Sequence, residues 1–321
     1  MVDNLYISNF KYMKKVLLYF LFVALGTIGL DLSVTFVLER IIPKSYHSTL
    51  FNSDELSSDI VILGASRAVR HYNPQIISDS LNCSVGVYGK LSQNIYFQYA
   101  VLEALLEHAT QKPTILLLEV SKLDIIDIPG SNTERLNDLF PFYYSEPAVK
   151  NLLSDVLDKK ELFMVKASGL YRYNSKILLY LGRFISKQQK PTIVGYSPLK
   201  DICNIPPVEN SMEKQSINIE CLDSVKIKYI EKLINKCKQE KIQLLFTDSP
   251  RFNFRVTKEP LWKEKIKLIA KENNIPVLDY EKDSIFLQHR EWFYDNGHLN
   301  KTGSNNYSQR IVLDLRKYLH L

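Results

Sequence analysis

Asp59-Ile60-Val61-Ile62-Leu63-Gly64-Ala65-Ser66-Arg67 is the stretch on which the fold of this chain turns. A short apolar run that ends in glycine has the form of a strand buried on both faces of a parallel sheet. Downstream, His71-Tyr72-Asn73-Pro74 offers an N-cap and a first-turn proline for a helix over Gln75–Leu81. A second strand is expected just before Gly86, and Asn94–His108 repeats apolar residues at helical spacing. Thr114–Val120 is the clearest central strand. The rhythm resumes later, with a helix over Val225–Cys237, a strand over Ile242–Thr247 and a helix over Lys258–Glu272. A strand over Ile275–Asp279 and a closing helix over Thr302–Leu319 complete it. Strands that alternate with helices predict an α/β fold with a doubly wound parallel sheet, whose active site lies at the C-terminal ends of the strands. Residues 125–220 break the rhythm. Their aromatic-rich helical patterns, Phe140–Tyr144 and Leu170–Phe184, and the loop-like Asn204–Asn218 are expected to form a helical insertion outside the central sheet.

Upstream of the first strand, Val16–Leu38 is apolar apart from Asp31. Its 23 residues reach about 34 Å as a helix, enough for a hydrocarbon core of about 30 Å. Lys11, Lys14 and Lys15 precede it, and Glu39, Arg40 and Lys44 follow. That bias favours a cytoplasmic N-terminus over residues 1–15 and the remainder outside. The apolar run continues through Leu32, Val34, Phe36 and Val37, longer than the core of a cleaved signal peptide, so an uncleaved signal anchor over 16–38 is expected. Asp31, toward the outer end, either snorkels to the interface or faces a partner helix. Residues 39–57, polar and carrying Pro43, read as a tether to a domain over 58–321.

Composition narrows the chemistry. The chain has 321 residues and a formal charge of +6, with 45% hydrophobic and 11% aromatic residues, as in a globular protein. Lys226, Lys228, Lys232, Lys236 and Lys238 are interspersed with Glu231 and Glu240, the pattern of a solvated helix face and not of a nucleic-acid stripe. Nucleic acid is therefore not an expected partner. The four cysteines, Cys83, Cys203, Cys221 and Cys237, lack the spacing of a zinc site. Cys203 and Cys221 could pair outside the cytoplasm or remain thiols. Gly86-Val87-Tyr88-Gly89-Lys90 lacks the spacing of a phosphate-binding loop, and no cofactor or metal is expected.

Two short motifs carry the reaction chemistry. Gly64-Ala65-Ser66-Arg67 sets a serine on a sharp turn at the end of the first strand, with backbone N–H groups behind it able to meet a developing oxyanion. Tyr294-Asp295-Asn296-Gly297-His298-Leu299-Asn300 places an aspartate and a histidine three apart before the last helix. A serine hydroxyl needs a base, and a histidine base needs a carboxylate to fix its tautomer. Arg67, beside the serine, suits either an anionic substrate group or a salt bridge. Asp248-Ser249-Pro250-Arg251 ends a strand and either lines the cleft or is a plain connection.

Val61–Ala68 and Asp295–Asn300 together resemble the first and last blocks of the SGNH (GDSL-type) hydrolases. The closest similarity is to membrane-anchored members such as the alginate acetylation proteins and the D-alanyl-lipoteichoic acid transfer proteins. The resemblance covers about 58–124 and 241–320. It implies a flavodoxin-like three-layer sandwich, with Ser66 as nucleophile, His298 as base and Asp295 as its orienting acid. It also implies an oxyanion hole from the N–H groups of Ser66 and Gly89, with Gly86 as the alternative to Gly89. The chain departs from the family in two places. Ala65 stands where GDS-type members have aspartate, and Leu118–Asp124 replaces the Gly-x-Asn-Asp block, so Asn94 is the expected substitute for the missing asparagine.

The implied function is a serine-dependent acyl-ester hydrolase or O-acyltransferase at the outer side of the cell membrane. Its implied substrate is an acylated cell-envelope glycan or another surface polymer, and its implied partners are envelope-biosynthesis proteins. The alternative is a catalytically inactive accessory or carbohydrate-binding module of the same fold, which the missing third block favours.

Overall fold

Gly64 closes the first strand with φ +152, and a Cβ there would come 2.8 Å from Cβ of Glu119 on the neighbouring strand. Only glycine allows the two strand ends to lie this close. The computed structural model describes residues 2–41, 57–128, 135–173, 177, 195–205, 221–252 and 259–319. Five strands, β1 (Ile60–Gly64), β2 (Val85–Val87), β3 (Ile115–Glu119), β4 (Gln243–Asp248) and β5 (Val277–Asp279), form a sheet in the order β2-β1-β3-β4-β5. Every pairing is parallel. This is the doubly wound, flavodoxin-like order, and its direction reverses between β1 and β3, where such sheets open a crevice at the strand C-termini.

The central strands are apolar over most of their length because both faces are covered. Val61, Leu63, Leu116, Leu118, Leu244 and Phe246 point to one face. There they pack against α4 (Ile95–His108), α8 (Ser224–Glu240) and α9 (Leu261–Glu272). Their alternates Ile60, Ile62, Ile115, Leu117 and Leu245 point to the other. That face is covered by α2 (Ser66–His71), α3 (Pro74–Leu81) and α11 (Lys301–Leu319). The result is the expected three-layer sandwich. Element ends also follow local chemistry. Asn73 caps α3 ahead of Pro74, Asn94 caps α4, and Asp223 caps α8 with two backbone N–H bonds.

Among its described residues, the segment between β3 and α8 gives no strand to the sheet, but it is not peripheral. It carries α5 (Pro147–Val156), α6 (Lys159–Ala167) and α7 (Gly169–Tyr173). Leu139, Phe140, Tyr143, Leu152, Leu153 and Val165 are buried in the same core as the sheet. The first helical pattern is a single 3₁₀ turn, Phe140–Phe142, and the second is helical over Gly169–Tyr173. Most of Leu170–Phe184, of the loop 204–218 and of the tether lies outside the described residues. Cys203 and Cys221 are both exposed free thiols.

The N-terminal helix α1 runs over Val2–Ile41. Its Tyr12–Arg40 portion, 29 residues, is long and apolar enough to cross a membrane. Most of its side chains are exposed, the exception being a stripe through Asp31, Val34, Thr35 and Leu38. Asp31 does not snorkel. Its carboxylate accepts from Ser168 Oγ at 2.7 Å and from the N–H groups of Gly169 and Leu170 at 3.0 Å, so it caps α7.

Candidate active site

Ser66 begins α2 directly after β1, so it stands at the switch point of the sheet. The N-cap position belongs to Ala65, which makes no side-chain capping bond, leaving the Ser66 hydroxyl free of that task. The Asp295–His298 turn links β6 (Phe293–Asp295) and β7 (His298–Leu299), a two-stranded antiparallel pair ahead of α11. Across 232 residues of sequence, His298 Nε2 meets Ser66 Oγ at 2.8 Å. His298 Nδ1 lies 3.0 and 3.1 Å from the two Asp295 oxygens. A carboxylate only accepts, so Nδ1 carries the proton and Nε2 presents its lone pair to the serine hydroxyl. Asp295 also accepts from Gly297 N–H at 2.8 Å, which holds the turn closed. The Asp295 side chain is 43% exposed.

The histidine turn is held from several sides. Phe252 N–H donates to Asn296 O at 3.0 Å, and Asn204 N–H donates to Tyr294 O at 2.7 Å. Lys301 N–H donates to Leu199 O at 2.9 Å, so 195–205, read as insertion, buttresses the histidine turn. From below, Leu299 N–H donates to His71 Nε2 at 3.0 Å. His71 must then carry its proton on Nδ1, which donates to Ser249 Oγ at 2.7 Å. Full burial, with Arg67, His298 and Arg251 nearby, keeps the His71 pKa well below the usual imidazole value, so it serves as a neutral strut.

This strut ends on a buried carboxylate. Glu119, 1% exposed, accepts from Ser249 Oγ at 2.8 Å, from Ser249 N–H at 3.1 Å, from Thr247 Oγ1 at 3.0 Å and from Tyr72 OH. Arg67 faces it at 3.0 Å and faces Asp248 at 2.5 Å. Arg67 also donates to Val120 O and Ser249 O. Of the two readings of Arg67, the structure shows the salt bridge: the residue is 7% exposed and its guanidinium is engaged beneath the site. Burial opposes its charge, and Glu119 and Asp248 outweigh that and raise its pKa. Burial likewise pushes Asp248 up, but Arg67, Arg251 and Lys263 overcome this and hold it at about 2. Asp248 and Ser249 thus support the site from beneath.

The expected oxyanion donors are placed unequally. Tyr88 N–H donates to Ile62 O and Lys90 N–H to Gly64 O, which lays Gly89 alongside the end of β1. A Cβ on Gly89 would come 2.8 Å from Gly64 O and from Ala68 Cβ, so a larger residue would push the loop off the serine turn. Gly86, the alternative, lies inside β2. Asn94 spends Oδ1 on Tyr96 N–H at 3.1 Å as the cap of α4. Among the described residues its Nδ2 has no partner, and the residue is 0% exposed, so it does not line the surface beside Ser66. After β3 the chain makes a 3₁₀ turn, Lys122–Asp124, in which Asp124 accepts from Ser121 N–H and Oγ. Burial pushes the Asp124 carboxyl up to about 6.

The sequence reading missed His71 and Glu119 and left Asp248 as either cleft lining or a plain connection. The signal was present: acidic residues end two adjacent, largely apolar strands, and such carboxylates need a buried cation.

No protein-family model and no curated protein matches the chain. It is similar to a protein assigned to the G-D-S-L lipolytic family from Desulfitobacterium hafniense, with 14% identity, a TM-score of 0.38, and coverage of 79% of this chain and 97% of that one. It is similar to an assigned acylhydrolase from Bacteroides fragilis, with 11% identity, a TM-score of 0.40, and coverage of 84% and 96%. An acetyl xylan esterase is similar at 12% identity and a TM-score of 0.38, with coverage of 80% and 99%.

Proposed function

We propose that the chain is a serine-dependent acyl-ester enzyme. The observation that carries this reading is the pair of contacts on one imidazole: His298 Nε2 to Ser66 Oγ at 2.8 Å and His298 Nδ1 to Asp295 at 3.0 Å. His298 takes the Ser66 proton as Oγ attacks an ester carbonyl. The oxyanion is met by the N–H groups of Ser66 and Gly89, with Asn94 held in reserve behind the loop. Collapse expels the alcohol, which takes the proton back from His298 and leaves an acyl-serine. Water or a sugar hydroxyl then attacks, giving its proton to His298, and as the acyl–Oγ bond breaks His298 returns that proton to Ser66 and the acyl group leaves as acid or as a new ester.

In this reading α1 is an uncleaved anchor and the domain works outside the cytoplasm, supported by the lysines ahead of the apolar stretch. That location favours an acylated envelope glycan as substrate, with water or a second glycan hydroxyl as acceptor. Acetylated oligosaccharide, incubated with the membrane-embedded full chain, tests it by mass. Acetate release, or acetyl moved to a second oligosaccharide, is expected, and loss of both in Ser66→Ala is expected. Equal rates in parent and variant would contradict the proposal.

A further inference from the structure

We infer that α6, together with the start of α7, lies in the outer membrane–water interface beside α1, with Phe163 and Met164 in the bilayer surface. This rests on the reading of α1 as a membrane anchor. The contact between them is specific: Asp31, one-third of the way in from the outer end of the apolar stretch, is gripped by Ser168, Gly169 and Leu170. Thr35 and Leu38, one and two turns on, are buried in the same contact, and Leu38 packs on Tyr173. The junction of α6 and α7 therefore has a definite height. If the hydrocarbon begins at Val16, just past Lys14 and Lys15, its ~30 Å end about 20 residues later, near Thr35. Asp31 then sits about 6 Å inside that boundary, the depth at which in-plane amphipathic helices lie.

The face that α6 turns outward suits that depth. Val165 is buried toward the domain, while Phe163 is 64% exposed and Met164 36% exposed. At 100° per residue these two fall within one outward sector together with Ala167. Lys159 and Lys166 border the Phe163 side of that sector, and Lys160 lies between Phe163 and Met164. An isolated exposed phenylalanine is ordinary on a water-soluble surface. Here it lies a little over one helical turn from a residue that grips the anchor, among lysines that reach phosphate headgroups. Tyr144, 63% exposed, donates to Lys166 O and adds an amphipathic ring at the same height.

The consequence reaches the active site. Residues 135–138, from the same inserted segment, hold the loop that follows Gly89: Lys90 and Gln93 bind Asp138 at 2.9 and 2.7 Å, and Arg135 donates to Ser92 O. A membrane-seated segment thus braces the proposed oxyanion loop and sets Ser66 at a constant height above the lipid.

Phe163→Trp in the full chain, reconstituted in vesicles of phosphatidylcholine and phosphatidylglycerol with brominated acyl chains, tests this. The parent's two tryptophans supply the background. The added emission is expected to shift to the blue and to be largely quenched, and Met164→Trp is expected to behave alike. Phe22→Trp, in the exposed stretch of α1, reports on the anchor separately. Quenching at Phe22→Trp without quenching at either α6 position would overturn the inference, showing water or a partner protein on that face. Absence of quenching at all three would overturn the anchor and the inference with it.

Discussion

Ser66→Ala and His298→Ala are each expected to lower acyl-ester turnover by about six orders of magnitude, and the double variant by no more than either alone. In the proposed mechanism the hydroxyl and the imidazole act in one proton transfer across the 2.8 Å contact, so removing either ends the covalent route. What remains comes from backbone N–H groups, which none of the substitutions touches. Stability should hardly change in Ser66→Ala, because the serine side chain does not cap α2. Asp295→Asn is expected to cost less than the roughly 10⁴-fold loss seen when a buried triad aspartate is replaced. Asp295 is 43% exposed, and water can partly take over the orientation of Nδ1. Steady-state kinetics of the four variants checks the ordering. Additive losses in the double variant would mean that Ser66 and His298 do not share a step.

Arg67→Ala is expected to destabilise the domain by about 3–5 kcal/mol, a large share of the 5–15 kcal/mol typical of a folded domain. The substitution leaves Glu119 and Asp248, each 1% exposed, without their shared cation. Lys263 still reaches Asp248 at 2.7 Å, but among the described residues Arg67 is the cation that pairs with Glu119. A pH dependence follows. Asp248 has its pKa held down in the folded state, so its contribution is present above the usual unfolded carboxylate value and is lost as pH falls toward about 2. Without Arg67 the folded value rises toward the unfolded one, so the loss of stability between pH 7 and 3 should be smaller than in the parent. Urea melts from pH 7 down to 3 measure both effects. A change in substrate binding with an unchanged melt would restore Arg67 to the cleft.

How much of this was legible in the sequence depended on distance along the chain. β1, β3 and β4 read clearly because a strand covered on both faces is a nearly continuous apolar run. Asn73-Pro74 announced its helix through capping, which is local. Ser66 and the Asp295–His298 turn were legible as residue types at strand and helix ends, since the triad asks for particular groups in particular settings. Arg67 was ambiguous because one residue along a helix turns a side chain by about 100°, enough to take it from the cleft to the buried ends of β3 and β4. Its partners are 52 and 181 positions away, given by Glu119 and Asp248. Asp31 was harder still. Alone it is a costly charge in an apolar stretch, and only its contact with Ser168–Leu170, about 137 residues on, makes it a helix cap. The inserted segment misled for a related reason: its apolar residues lack one clear period, since they pack on several elements at once.

The most direct test of the central claim is covalent. The parent, incubated with a serine-directed fluorophosphonate and digested, is predicted to carry the phosphonyl mass on the peptide that contains Ser66. His298→Ala, with no base within reach of Oγ, is predicted to stay unlabelled under the same conditions. An unlabelled Ser66 in the folded parent, or equal labelling with and without His298, would contradict the reading of this site as an activated serine nucleophile.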